Sequence, residues 1–210
     1  MQNYSTNFFL MIKNIIFDFG GVLVDWNPHY LFDSYFNDKE ETEWFVKTVV
    51  SSEWNAEMDG GKPFDVAVKE RILLFPDYKE AIELYKNEWM KTMGEEIPGM
   101  YDFIKSLKEN GFPVLYGLTN WSNETFPEVR KKYRIFGLID NIVVSGDEKM
   151  LKPNPEIYLT LTDRYHLNPE ECLFIDDNIA NVNGAINVGM SSVLFQGVDK
   201  LRADIQRLLK

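Results

Sequence analysis

The chain has 210 residues, 45% of them hydrophobic and 14% aromatic. That is enough for one substantial core with a smaller insertion, and too apolar for a disordered polypeptide. Its 22 basic and 33 acidic residues give a net charge of −11, which argues against nucleic acid and anionic membrane surfaces as partners. An anionic small substrate stays open, because a pocket can carry its own cations.

A single cysteine, Cys172, can form no internal disulfide, which fits a reducing compartment. The apolar patch Phe8-Phe9-Leu10 is too short for a signal segment and lacks a preceding positive charge. No later apolar run reaches membrane length. A soluble, cytoplasmic protein is expected, with Met11 as an alternative start, since the organised pattern begins there.

In chain order, Asn14-Ile15-Ile16-Phe17 reads as a buried strand that ends on Asp18, followed closely by Gly20 and Gly21. Four helical patterns follow, Pro28–Phe36, Lys39–Val50, Pro63–Leu74 and Asp77–Met93, with turn signals at Asp59-Gly60-Gly61 and Phe75-Pro76. Gly94 and Ile97-Pro98-Gly99 mark a return hinge. From there strands and helices alternate: helix Tyr101–Asn110, strand Pro113–Leu118, strand Asn141–Ser145, helix Pro155–Tyr165, strand Cys172–Ile175, helix Asn178–Val188, strand Ser192–Leu194 and helix Asp199–Leu209. Such alternation implies a parallel, Rossmann-like α/β sheet with helices on both faces. The expected division is a catalytic core of residues 11–26 and 95–210, with residues 27–94 as an all-helical cap over the carboxyl end of the first strand.

Four strand ends carry polar residues. Asp18 suits a nucleophile, a metal ligand or both, or simply a turn-capping acid. Thr119-Asn120 suits phosphate oxygens or a turn. Lys152, fixed by Pro153 and Pro155, suits a group that orients a carboxylate and neutralises a phosphoryl, or a solvated surface lysine. Asp176-Asp177 ends a very apolar strand, where two acids are costly without a cation. With Asp18 they offer hard oxygen ligands for Mg²⁺; the alternative is helix capping by Asp177 or Asn178. Together the four ends make a coherent site for phosphoryl transfer through an aspartyl intermediate.

Phe17-Asp18-Phe19-Gly20-Gly21-Val22-Leu23, Leu118-Thr119-Asn120, Lys152-Pro153 and Ile175-Asp176-Asp177-Asn178, in that order and spacing, resemble the four motifs of the haloacid dehalogenase-like hydrolase superfamily. The resemblance covers the chain from Met11 onward. The cap position is similar to that of the sugar-phosphate phosphatase subgroup. It implies a Mg²⁺-dependent phosphatase acting on a small phosphorylated metabolite, including sugar 1-phosphates. In it Asp18 would attack phosphorus, Thr119 and Asn120 would hold phosphate oxygens, and Lys152 would position both. Asp18, Asp177, the Gly20 carbonyl and Asp176, directly or through water, would hold the metal. A metal-independent 2-haloacid dehalogenase and a weakly catalytic metabolite-binding protein are the alternatives.

Gly20 departs from the family pattern, which places there a second Asp as general acid and base. Its loss implies either substrates with good leaving groups or a substitute from the cap, for which Glu57, Asp59 and His29 are candidates. The segment Ser51–Gly61 is the candidate specificity element, with Trp54 and Glu57 as substrate contacts or, for Trp54, a cap-core residue. Trp26 and Trp121 follow the first two motifs and suit either pocket walls or packing.

Overall fold

The computed structural model describes residues 12–208 apart from Pro113. The Phe8–Leu10 patch, the start at Met11, the first residue of the expected strand Pro113–Leu118 and the last residue of the expected final helix, Leu209, lie outside the described residues. β1 (Asn14–Phe17) is followed by β2 (Val24–Trp26) and then by helices α1 (His29–Phe36), α2 (Lys39–Thr48), α3 (Ser52–Asp59), α4 (Phe64–Leu74) and α5 (Lys79–Asn87). The chain continues through β3 (Met93–Glu96), α6 (Met100–Glu109), β4 (Leu115–Thr119), α7 (Phe126–Lys132), β5 (Asn141–Val144) and α8 (Ser145–Glu148). It ends with α9 (Pro155–Tyr165), β6 (Cys172–Asp176), α10 (Ile179–Asn187), β7 (Ser191–Leu194) and α11 (Val198–Leu208).

Five strands form one parallel sheet in the order β5-β4-β1-β6-β7. β1 is central because its side chains are buried on both faces. Ile15 and Phe17 join one hydrophobic cluster and Ile16 the other, following the two-residue period of a strand. Each such Ile or Phe contributes roughly 1.5–3 kcal/mol by leaving water. The chain leaves β1 toward β4 on one side and leaves β6 toward β7 on the other. The β1–β6 boundary is therefore the topological switch point, where open sheets form a crevice at their carboxyl ends. Asp18 N–H donates to the Ile175 carbonyl at 2.8 Å, which places the residue after β1 beside the end of β6.

Differences from the sequence reading have local causes. Asp77–Met93 is not one helix. α5 stops at Asn87, Trp89–Thr92 forms a 3₁₀ turn, and Met93 opens β3, which pairs antiparallel with β2. This two-stranded ribbon joins the points where the chain leaves and re-enters the sheet domain. The Ser51–Gly61 segment holds a helix of its own, α3, whose start is capped by the Ser51 hydroxyl accepting from Trp54 N–H at 3.3 Å. Among the described residues, no helix is long and apolar enough to cross a membrane.

Candidate active site

The turn after β1 is tight: the N–H groups of Val22, Leu23 and Val24 all donate to the Phe19 carbonyl, at 3.3, 2.8 and 3.1 Å. Gly21 has a φ of 72° and faces Asp177 so closely that a Cβ there would lie 2.2 Å from Asp177 Oδ2. The φ favours glycine, and a Cβ would displace the Asp177 carboxylate. Gly20 is different. Its φ is outside the left-handed region, and a Cβ would meet only Trp121 Cζ3, at 3.9 Å.

Lys152 is buried at the centre of the site. Its Nζ lies 2.7 Å from Asp18 Oδ1 and 2.7 Å from Asp176 Oδ2, and donates to the Leu118 carbonyl at 3.0 Å. All three ammonium protons therefore have acceptors. Asn120 fixes the lysine's backbone by a reciprocal pair, its Nδ2 donating to the Lys152 carbonyl at 3.0 Å and its Oδ1 accepting from Lys152 N–H at 2.9 Å. The Asn120 amide thus braces Lys152 with one N–H and its oxygen, and keeps its second Nδ2 proton as a donor on the cavity wall. Thr119 is 1% exposed, and its Oγ1 has no hydrogen-bond partner among the described residues. An orphaned buried hydroxyl at a strand end is a candidate partner for a ligand oxygen.

Asp176 is fully buried and fully engaged. Besides Lys152, its oxygens accept from Asn178 N–H at 2.8 Å and from Asn181 Nδ2 at 3.1 Å. Asp177 is exposed at the rim. One oxygen each from Asp18, Asp176 and Asp177 lie within 4.8 Å of one another. Burial, countered by Lys152 and reinforced by Asp176, pushes the Asp18 carboxyl up to about 7. Burial opposes the Lys152 charge, but Asp18 and Asp176 outweigh it and hold the ammonium above its usual range. Partial enclosure and the Asp176 charge also raise Asp177. Three carboxyls facing one ammonium form a donor set suited to a hard divalent cation.

Asp18, Asn120, Lys152 and Asp177 line a cavity of about 340 Å³, walled by Trp26, Trp89 and Trp121 and by one face of α3, while Thr119 and Asp176 lie behind its lining. Ser52, Asn55, Ala56 and Asp59 face it, at i, i+3, i+4 and i+7, the spacing of one helix face. That periodicity picks Ser52 and Asn55 out of the Ser51–Gly61 segment expected to set specificity, whereas Trp89 and Asn181 were not anticipated. It also separates the two readings of Trp54 and corrects the expectation for Glu57. Trp54 is buried on the opposite face, 5.4 Å from the Tyr85 ring centroid and under Arg71, so it packs the helical core instead of meeting substrate. Glu57 points outward and pairs with Lys62 at 2.6 Å. His29 is bonded to Asp33 at 2.8 Å in a separate surface depression. Of the three candidate substitute acids, only Asp59 reaches the cavity.

A doubly wound sheet thus delivers an acid trio, a lysine and a hydroxyl to one edge, at the carboxyl ends of its strands. The family model for haloacid dehalogenase-like hydrolases matches residues 12–189, and the chain belongs to that family. It is similar to the putative phosphatase YhcW of Bacillus subtilis (strain 168), 28% identical across 88% of this chain and 83% of that protein. It is also similar to the sesquiterpene phosphatase astK of Aspergillus oryzae (strain ATCC 42149 / RIB 40), 30% identical across 85% and 87%. In fold it resembles the magnesium complex of the haloacid dehalogenase family enzyme bt-2542 of Bacteroides thetaiotaomicron, with a TM-score of 0.73 at 18% identity, covering 93% of this chain and 98% of that one. The chain is a phosphatase-like hydrolase.

Proposed function

We propose that the chain is a Mg²⁺-dependent phosphatase that hydrolyses the monoester of a small hydroxylated metabolite, such as a sugar phosphate, through an aspartyl phosphate on Asp18. Residues 27–94 form the cap in this reading, over a core of residues 11–26 and 95–210. The observation that carries it is the pairing of Asp18 with the Lys152 ammonium, with the orphaned Thr119 hydroxyl at the end of the adjacent strand β4. A bound phosphoryl oxygen gives Thr119 its missing partner. Lys152 holds the Asp18 carboxylate in one orientation and lowers the cost of bringing a phosphate dianion to it. Asn120 keeps Lys152 in place.

The donor set fits Mg²⁺. Asp18, Asp177 and the Gly20 carbonyl would hold it, with Asp176 acting through water because its own oxygens are already taken. When bound, the cation neutralises phosphoryl charge. The same acid pair disfavours a metal-independent dehalogenase, whose anionic substrate would meet uncompensated carboxylates. The three tryptophans, with the Asn55 amide and the partnerless Trp26 indole N–H, suit the faces and hydroxyls of a sugar.

The test is phosphate release from a panel of sugar and alkyl monophosphates, with Mg²⁺ and with chelator, using Asp18→Asn as control. Mg²⁺-dependent release abolished in Asp18→Asn is expected. Halide release from 2-haloacids in chelator, or tight metabolite binding without turnover, overturns the reading in favour of one of the two alternatives.

A further inference from the structure

We propose that Asp59 is the general acid and base of this site, supplying from α3 the carboxyl that position 20 does not carry. The inference rests on the phosphatase reading and extends it to a residue from a different element.

Three observations place Asp59 for this work. First, it lines the same cavity as Asp18, Gly20 and Lys152, while the other candidate acids face elsewhere. Second, its carboxyl is oriented by a relay. Tyr85 Oη donates to Asn55 Oδ1 at 2.7 Å, which turns the Asn55 amide so that Nδ2 donates to Asp59 Oδ2 at 2.9 Å. Two oxygens carry about four acceptor sites, so the carboxyl retains capacity toward the cavity.

Third, the end of α3 is fixed to the sheet domain. Ser145 Oγ, just past β5, donates to the Asp59 carbonyl at 2.5 Å. Gly61 packs so close to Gly146 that a Cβ would lie 2.8 Å from its carbonyl oxygen. Asp59 is thereby held in register with Asp18, although the two lie on elements far apart in sequence. The site at Gly20 is consistent with this. Neither packing nor φ demands glycine there, so that position lacks a carboxyl without any steric reason.

The charge environment supports the assignment. The groups facing Asp59 are Asp18, Lys152 and the Tyr85 hydroxyl, with the Ser122 main-chain N–H. Burial dominates over the Ser122 N–H and pushes the carboxyl up to about 7, with Asp18 adding to the rise. A general acid works best with its proton affinity near the working pH.

In the first step an Asp18 oxygen forms a bond to phosphorus and the bond from phosphorus to the ester oxygen breaks. The Asp59 proton passes to that oxygen, releasing the alcohol. In the second step a water oxygen bonds to phosphorus, its proton passes to the Asp59 carboxylate, and the bond from phosphorus to Asp18 breaks. Inorganic phosphate leaves and both carboxyls return to their starting states.

The test is the leaving-group dependence of Asp18 phosphorylation in Asp59→Asn, which keeps an acceptor for Asn55. An alkyl monophosphate needs its leaving oxygen protonated; acetyl phosphate, whose leaving group is a carboxylate, does not. The expected loss in the rate of phosphoenzyme formation is about 10²–10⁴-fold on the alkyl ester, and no more than about threefold on acetyl phosphate. Asp59→Ala, read on the same pair, gives the same contrast should the Asn variant fail to fold. Equal loss on both substrates, or no loss on either, overturns the proposal. A wild-type protein that phosphorylates Asp18 from neither substrate instead counts against the phosphatase reading itself.

Discussion

The Ser145 hydroxyl donates to the Asp59 carbonyl at 2.5 Å while accepting from Trp121 N–H at 2.8 Å. One fully buried side chain thus joins the last turn of α3 to two strand ends of the sheet. Ser145→Ala leaves the Trp121 N–H and the Asp59 carbonyl without that partner. A stability loss of roughly 1–3 kcal/mol is expected, read as a lowered urea midpoint. Turnover on alkyl phosphates should fall with it, because Asp59 loses its anchor. An unchanged midpoint would show that other contacts hold α3.

Lys152 has three acceptors converging on one nitrogen, two of them carboxylates. Lys152→Met leaves Asp18 and Asp176 buried with no cation between them. Breaking a buried pair on one side costs about 3–5 kcal/mol. Thermal unfolding in chelator should therefore show a large fall in midpoint, together with loss of activity. Lys152→Arg should not rescue it, since a planar guanidinium cannot meet three acceptors arranged around a single point. An active Arg variant would refute this geometric requirement.

The 2.2 Å clearance at Gly21 ties the first turn to Asp177. Gly21→Ala must push Asp177 away and also hold a φ of 72°, a conformation costing roughly 1–2 kcal/mol for a residue with a Cβ. The expected result is weaker Mg²⁺ activation, with the half-saturating concentration raised about tenfold for each 1.4 kcal/mol lost at the metal. A Mg²⁺ titration of activity measures it. Wild-type half-saturation would separate Asp177 from the metal.

Asp59 sets a direction for stability against pH. Its carboxyl is held at about 7 in the fold, against an ordinary value of 3.8. Between these values the folded state binds more protons than the unfolded chain. This group therefore lowers stability progressively as pH rises from about 4 to about 7, and contributes no further slope above that. Asp59→Asn removes this contribution. In chelator, the variant should gain stability relative to wild type at pH 8 and approach it at pH 4, as read from urea midpoints across the range. A constant difference across pH would contradict the raised value.

Much of the sheet and its edge was legible in the sequence because strands buried on both faces read as short apolar runs, and each ends where the polarity changes. Ile15-Ile16-Phe17 before Asp18, and Leu173-Phe174-Ile175 before Asp176, are such runs. The ribbon of β2 and β3 was not legible. Val24–Trp26 and Met93–Glu96 are short, and their pairing is set by tertiary contact instead of local pattern. Trp54 stayed open between two roles, and Glu57 was placed toward substrate, for a related reason: without the boundaries of α3, a helix face cannot be drawn. Once Ser51 is seen to cap Ser52–Asp59, the spacing of Ser52, Asn55 and Asp59 separates the cavity face from the packed one. The engaged state of the Asn120 amide and of Asp176 also depends on loops that meet only in three dimensions.

The cavity face of α3 has a consequence for how substrate range can change. Ser52 and Asn55 contribute to the wall that a substrate's own groups would meet, and Asp59, four residues beyond Asn55, is tied to Asn55 by a hydrogen bond. Replacing Asn55 to admit a different metabolite would also release the carboxyl beside it. Selectivity and proton delivery are inherited together in this helix, so new substrates are more readily gained at Trp26, where the wall can be recut without touching the relay from Tyr85 through Asn55 to Asp59.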